Sequence, residues 1–230
     1  MAEMVYNLVT AVLMALMFNA GVVLVDPATV PGRRIPWGAV ALTVVAIAGV
    51  VLQLAWSGAM DALDNDPAKS GWWRPLTSVF LQNGGVAGAV YNLVTLAVLA
   101  ALAEWFWGTP VLLASFAGGM FLPGLIGKLF ASTDVSAEAR NFAGSSGATY
   151  FLAATLAGAL VVCAGERKHR VLAVAVPVLG LATWFAQDNA HGLVAVYGFL
   201  LGVPVWFVRR GLLRPGRTPK ITVGSLVGKR

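Results

Sequence analysis

Seven apolar runs, each close to the ~20 residues a helix needs to cross a bilayer, limit what this chain can fold into more than any other feature. They cover residues 4–25, 37–56, 86–107, 111–130, 146–163, 171–185 and 190–208. None shows the alternation of a membrane-spanning strand, which disfavours a transmembrane barrel. The chain is 58% hydrophobic and 11% charged, with a mean hydropathy of +0.78, against about 45–50% and about 25% in soluble domains. That balance excludes a water-soluble enzyme and a disordered chain. The one cysteine, Cys163, cannot close an internal disulfide, and with the two histidines and scattered acids it shows no zinc-ligand spacing. No metal or cofactor is expected. The fold class is an all-α polytopic membrane protein.

The first run lacks the basic flank and the small-residue cleavage site of a signal peptide, so it reads as a retained helix. With seven spans, Arg33 and Arg34, then Arg167, Lys168 and Arg170, then Arg209, Arg210, Arg214, Arg217, Lys220, Lys229 and Arg230 fall on one side. These are 12 of the 16 basic residues, and the positive-inside rule makes that side cytoplasmic. Asp61, Asp64, Asp66, Asp134, Glu138 and Asp188 fall on the other. The expectation is an integral protein of the plasma (inner) membrane, N-terminus outside and C-terminus cytoplasmic. The pI of about 9.9 then reports orientation and contact of the tail with anionic lipid, and calls for no nucleic acid. Loop 57–85, with Trp72-Trp73-Arg74-Pro75, and loop 131–145 lie outside in this scheme.

Polar side chains at membrane depth are costly and need a reason. Asn92, Ser146 and His191 come from three different spans yet share the outer half, while Glu104 lies on the same span as Asn92. Ser146 sits in Gly144-Ser145-Ser146-Gly147-Ala148 at a helix start, where free N–H groups can stabilise an oxyanion. Taken alone, the segment reads more readily as a small-residue packing patch. His191 can act as a base toward a serine hydroxyl or sit as an interfacial histidine bonded to a neighbour. Gly198 and Gly202 form a G-x-x-x-G face that would press this helix on the one starting with Gly144 and Gly147, carrying His191 toward Ser146. Asp188, three residues before His191, reads as a solvated loop acid. His169, in the basic loop, reads as solvated.

At these positions the chain resembles the rhomboid family of intramembrane serine proteases, over roughly residues 37–208. Gly144-Ser145-Ser146-Gly147 looks like the family's G-x-S-G, and Ala190-His191 like its A-H pair, with Gly198 at the expected offset. Tyr150 falls where the family has an aromatic against the catalytic histidine. Trp73-Arg74 resembles its W-R signature, and Asn92 stands where H-x-x-x-N supplies an oxyanion ligand, with Glu104 twelve residues later. Two positions depart. Gly88 replaces the histidine before Asn92, which removes an oxyanion donor, so Gly88→His is expected to leave activity unchanged or raise it if the site has room for the ring. Val194 replaces a glycine, which predicts slightly wider spacing of the two helices.

The resemblance implies a six-helix rhomboid-like membrane domain at 37–210, one additional N-terminal transmembrane helix with a basic loop at 1–36, and a basic cytoplasmic tail at 211–230. It implies intramembrane proteolysis of transmembrane protein substrates by a serine endopeptidase dyad without a third acid. Ser146 is the nucleophile and His191 the base. Asn92 and the Ser146 N–H hold the oxyanion, and Tyr150, Gly144, Gly147 and Gly198 support the site. Loss of the histidine at 88 keeps open a catalytically inactive rhomboid-like protein that binds transmembrane clients. A transporter would want more intramembrane charge than Glu104 offers.

Overall fold

The structure, a computed structural model, describes residues 2–66, 68–129 and 143–212. Most of loop 131–145, with Asp134 and Glu138, and the tail from 213 onward with its basic residues lie outside the described residues. Among the described residues every membrane-length element is a helix. These are α1 (Ala2–Val25), α2 (Trp37–Ala55), α5 (Gly85–Trp107), α6 (Thr109–Leu129), α7 (Ser146–Cys163), α8 (Arg167–Gln187) and α9 (Ala190–Leu212). Two short helices, α3 (Ala59–Leu63) and α4 (Arg74–Thr77), fold the long loop. The chain is an all-α polytopic integral membrane protein.

The span boundaries agree with the apolar runs to within a few residues, except that α8 begins at Arg167 and α9 reaches Leu212. Lysine and arginine are good helix formers, and their long stems let a charged turn continue a spanning helix into the interface. Hydropathy alone ends the run too early at such a turn.

Helix α7 is the axis of the bundle. Its residues from Ala148 to Leu160 are all buried, because α1, α5, α6, α8 and α9 pack around it. Small residues let so many helices crowd one. The tightest seam is α7 on α9. A Cβ at Gly198 would overlap the Phe151 carbonyl, one at Gly202 the Thr155 carbonyl, and one at Gly158 the Phe199 carbonyl. The outer helices keep lipid-facing stripes, such as Val86, Val90, Val94 and Val98 on α5, spaced one turn apart. In water such stripes would form one large apolar patch.

Helix α1 lies in a groove. Its floor is α7 and its walls are α5 and α8, each of which packs on α1. Leu13, Met14, Met17, Ala20 and Val25 are buried, a spacing that forms one helical face. Met4, Leu8 and Val12 face outward.

One end of the bundle is basic. Arg33 donates to Val25 O at 2.6 Å and Trp105 O at 3.0 Å, placing positive charge on the last carbonyls of α1 and α5. The Arg209 guanidinium stands over Phe106 and Trp107, 5.2 and 5.6 Å from the ring centroids. Glu104, 2% exposed, is at this end too. One carboxylate oxygen accepts the Ala39 N–H in the first turn of α2 at 2.7 Å, and the other accepts the Thr109 hydroxyl at 2.6 Å. Its burial is explained by capping, since the first N–H groups of a helix have no intrahelical acceptor.

Candidate active site

The opposite end gathers the polar residues. Ser146 opens α7 and His191 lies in the first turn of α9. The α7–α9 seam sets their separation: Ser146 Oγ and His191 Nε2 are 3.0 Å apart. Val194 is buried at the packed core and does not hold α9 away, so the wider spacing expected from this position is not found. The close approach is carried instead by Gly198 and Gly202, one and two turns further along. Tyr150, one turn after Ser146, places its ring 4.7 Å from the His191 ring, tilted by 56°, and donates its hydroxyl to Thr10 O of α1 at 2.8 Å.

Gly144 has φ +142°, a conformation that L side chains rarely adopt. Its N–H donates to Ser78 O at 3.0 Å, tying the turn before Ser146 to the long loop. A Cβ there would lie 3.6 Å from Ser146 Oγ and 3.8 Å from Asn92 Nδ2. The missing side chain therefore leaves a small space shared by these two atoms. Gly147 plays no such part. Among the described residues nothing stands within 4 Å of its Cβ position, and the partner of the α9 glycines on α7 is Gly158 together with the Phe151 and Thr155 carbonyls. Gly88 has less room than the sequence implies, because a Cβ would meet Asn83 O at 2.9 Å.

Gln82 is a site residue that motif reasoning missed. It is 3% exposed, accepts from Asn92 Nδ2 at 2.8 Å and donates to Ser145 Oγ at 3.3 Å. Its own backbone exchanges two 2.9 Å hydrogen bonds with the Gln53 side chain on α2. One residue thus links α2, the loop, α5 and the turn before α7. A polar residue at a loop end carries no periodic signal, so its burial could not be read from the sequence.

Asn189 was missed as well. It is fully buried, whereas Asp188 is exposed in a left-handed turn at the end of α8. Asn189 Oδ1 accepts the His191 backbone N–H at 3.0 Å and stands 3.3 Å from His191 Nδ1. Its Nδ2 donates to Thr10 Oγ1 at 2.9 Å, and the Tyr6 hydroxyl is 3.4 Å from His191 Nδ1. The first helix reaches the site through Tyr6 and Thr10.

The Trp73-Arg74 pair braces the loop. Arg74 Nη1 bonds Asp64 Oδ1 at 3.0 Å, with both side chains little exposed, and Lys69 bridges Asp64 and Asp61. The hydrogen bond and charge of Lys69 hold the exposed Asp61 carboxyl below the usual carboxylate range. Trp72 is largely exposed beside Trp73, as expected of tryptophans at a membrane interface. Among the described residues no cluster of His, Cys, Asp and Glu could hold a metal ion.

No protein-family model, curated protein or solved structure matches this chain. Function must be argued from the site itself.

Proposed function

We propose that this chain is an intramembrane serine protease of the rhomboid kind, hydrolysing peptide bonds of membrane-spanning substrates. The carrying observation is the 3.0 Å contact between Ser146 Oγ and His191 Nε2 at one end of a bundle of apolar helices. A serine hydroxyl on an imidazole nitrogen is the minimum constellation for acyl transfer. As Ser146 Oγ attacks the scissile carbonyl carbon, its proton passes to His191 Nε2. The C–N bond then breaks, the leaving amine takes that proton, and an acyl-enzyme remains. Water, deprotonated by His191, releases the acid and restores Ser146. The developing oxyanion fits the space beside Gly144. There the second N–H of the Asn92 amide and the first N–H groups of α7 can reach it.

The same reading puts the basic end in the cytoplasm and the dyad toward the outer face of the plasma (inner) membrane, with transmembrane proteins as substrates and lipid as surroundings. Reporter fusions at Met1, in the loop 164–170 and after Arg210 test it; an external report after Arg210 overturns the orientation.

A second reading has one observation in its favour. With glycine at 88, α5 offers no side-chain donor there, as in a non-catalytic protein that binds transmembrane clients. Labelling with a fluorophosphonate probe separates the two. Covalent labelling lost in Ser146→Ala supports the protease. A folded protein that takes no label and binds a client helix without cleaving it supports the binder.

A further inference from the structure

We infer that Asn189, oriented by Thr10 of α1, is the positioning residue that fixes the His191 tautomer, so that the added N-terminal helix completes the dyad. The inference rests on the reading of Ser146 and His191 as nucleophile and base. Its chain of reasoning runs through donors and acceptors. Thr10 has one hydroxyl proton, and that proton is donated to Tyr6 O at 2.7 Å. Toward Asn189 the Thr10 oxygen can therefore only accept, and the atom facing it at 2.9 Å must be the amide nitrogen. The amide oxygen is thereby turned toward α9, where the His191 backbone N–H, a donor, meets it at 3.0 Å. Both ends of the amide agree on its orientation.

The same oxygen faces His191 Nδ1 at 3.3 Å. A carbonyl oxygen cannot donate, so this contact is favourable only when Nδ1 carries the proton. In the neutral ring Nε2 is then the bare nitrogen, and Nε2 is the atom on Ser146 Oγ. The Tyr6 hydroxyl, 3.4 Å from Nδ1, accepts in the same arrangement. Asn189 thus caps α9 and fixes its base with a single oxygen. A catalytic acid is unnecessary in this geometry, and Asp188, exposed, does not supply one.

The test reads the tautomer directly. The chain has two histidines, so nitrogen-15 NMR of histidine-labelled full-length protein in micelles, with His169→Gln for assignment, resolves His191. The neutral wild-type ring is expected to show a protonated Nδ1 and a bare Nε2. Asn189→Asp keeps an acceptor for both the cap and the ring and is expected to keep that pattern. Asn189→Ser keeps a good helix cap but falls short of the ring, and is expected to give a mixture of tautomers. Thr10→Val frees the amide to turn and is expected to move the spectrum the same way, whereas Thr10→Ser keeps it. In a cleavage assay Asn189→Ser is expected to lower kcat about tenfold with KM unchanged, the rate equivalent of one neutral hydrogen bond. A wild-type ring protonated on Nε2, or an Asn189→Ser spectrum equal to wild type, overturns the inference. A Thr10→Val spectrum equal to wild type overturns the share given to α1. If the wild type neither cleaves nor labels while the spectra change as described, the positioning stands and the protease reading falls.

Discussion

Gly198 lies directly against the carbonyl of Phe151, with no space between them for even a methyl group. The obstacle is backbone on a central helix and cannot swing aside. This contact, repeated by Gly202 on Thr155, sets how near α9 comes to α7 and therefore where His191 stands relative to Ser146. Gly198→Ala is expected to cost about 1–3 kcal/mol through overpacking and to reduce cleavage further than its loss of stability explains. Thermal unfolding and cleavage measured on the same detergent-solubilised protein check both halves. Wild-type stability and activity in Gly198→Ala would show that the seam has slack.

Ser146→Ala and His191→Ala should each abolish cleavage and leave the helical fold intact. A nucleophile and its base act as a unit, so the double variant should be hardly worse than either single one. Ser145→Ala should keep its chemistry, because that side chain is buried on Gln82 and away from His191. It should lose about 1–3 kcal/mol of stability, since the Gln82 amide is left without its acceptor. Activity lost in Ser145→Ala but kept in Ser146→Ala would reverse the assignment.

Asn92→Ala should lower cleavage by about 10²–10³, the usual effect of removing one oxyanion donor. It should also cost about 1–3 kcal/mol of stability, since the buried Gln82 Oε1 loses the Asn92 donor. Gly88→His, which restores a ring on the same face of α5 one turn earlier, is expected to lower activity. Its Cβ collides with the Asn83 carbonyl and would displace the turn that leads from Gln82 into α5. Steady-state cleavage of one membrane substrate by both variants decides this. Full activity in Asn92→Ala would remove α5 from the chemistry.

Glu104→Gln offers a control at the far end. The amide oxygen can keep the Ala39 N–H while the NH2 turns to Thr109, whose hydroxyl then accepts in place of donating, so stability should fall by only about 1 kcal/mol. The kcat should be unchanged, because the residue caps helices at the basic end. A selective fall in kcat would point to a role for Glu104 that its contacts do not account for.

The spans were legible because twenty apolar residues have few other uses, and the contact of Ser146 with His191 because both open helices at one end of the bundle. The glycines were half legible. A G-x-x-x-G spacing shows that Gly198 and Gly202 share a face, but spacing cannot say which glycines lie opposite, so Gly147 stood in for Gly158. Gln82, Asn189, Thr10 and Tyr6 were not legible. Each is an ordinary polar residue at a loop end or on an apolar helix, and its importance comes from partners far away in the chain. Glu104 was legible as costly, but its donors on α2 and α6 depend on how three helix ends meet.

The hydrogen bond between Thr10 and Asn189 joins residues 179 apart, and that between Tyr6 and His191 spans 185, while the dyad itself spans 45. Helices α1 and α9, far apart in the sequence, must therefore meet before this set of contacts exists in full. Under the proposed function, a nascent chain halted before α9 carries a serine without a base, and one whose helix α1 has been severed in the segment 26–36 carries a base without its brace. Under that same function, the order of synthesis keeps the serine idle until α9 has entered the bilayer.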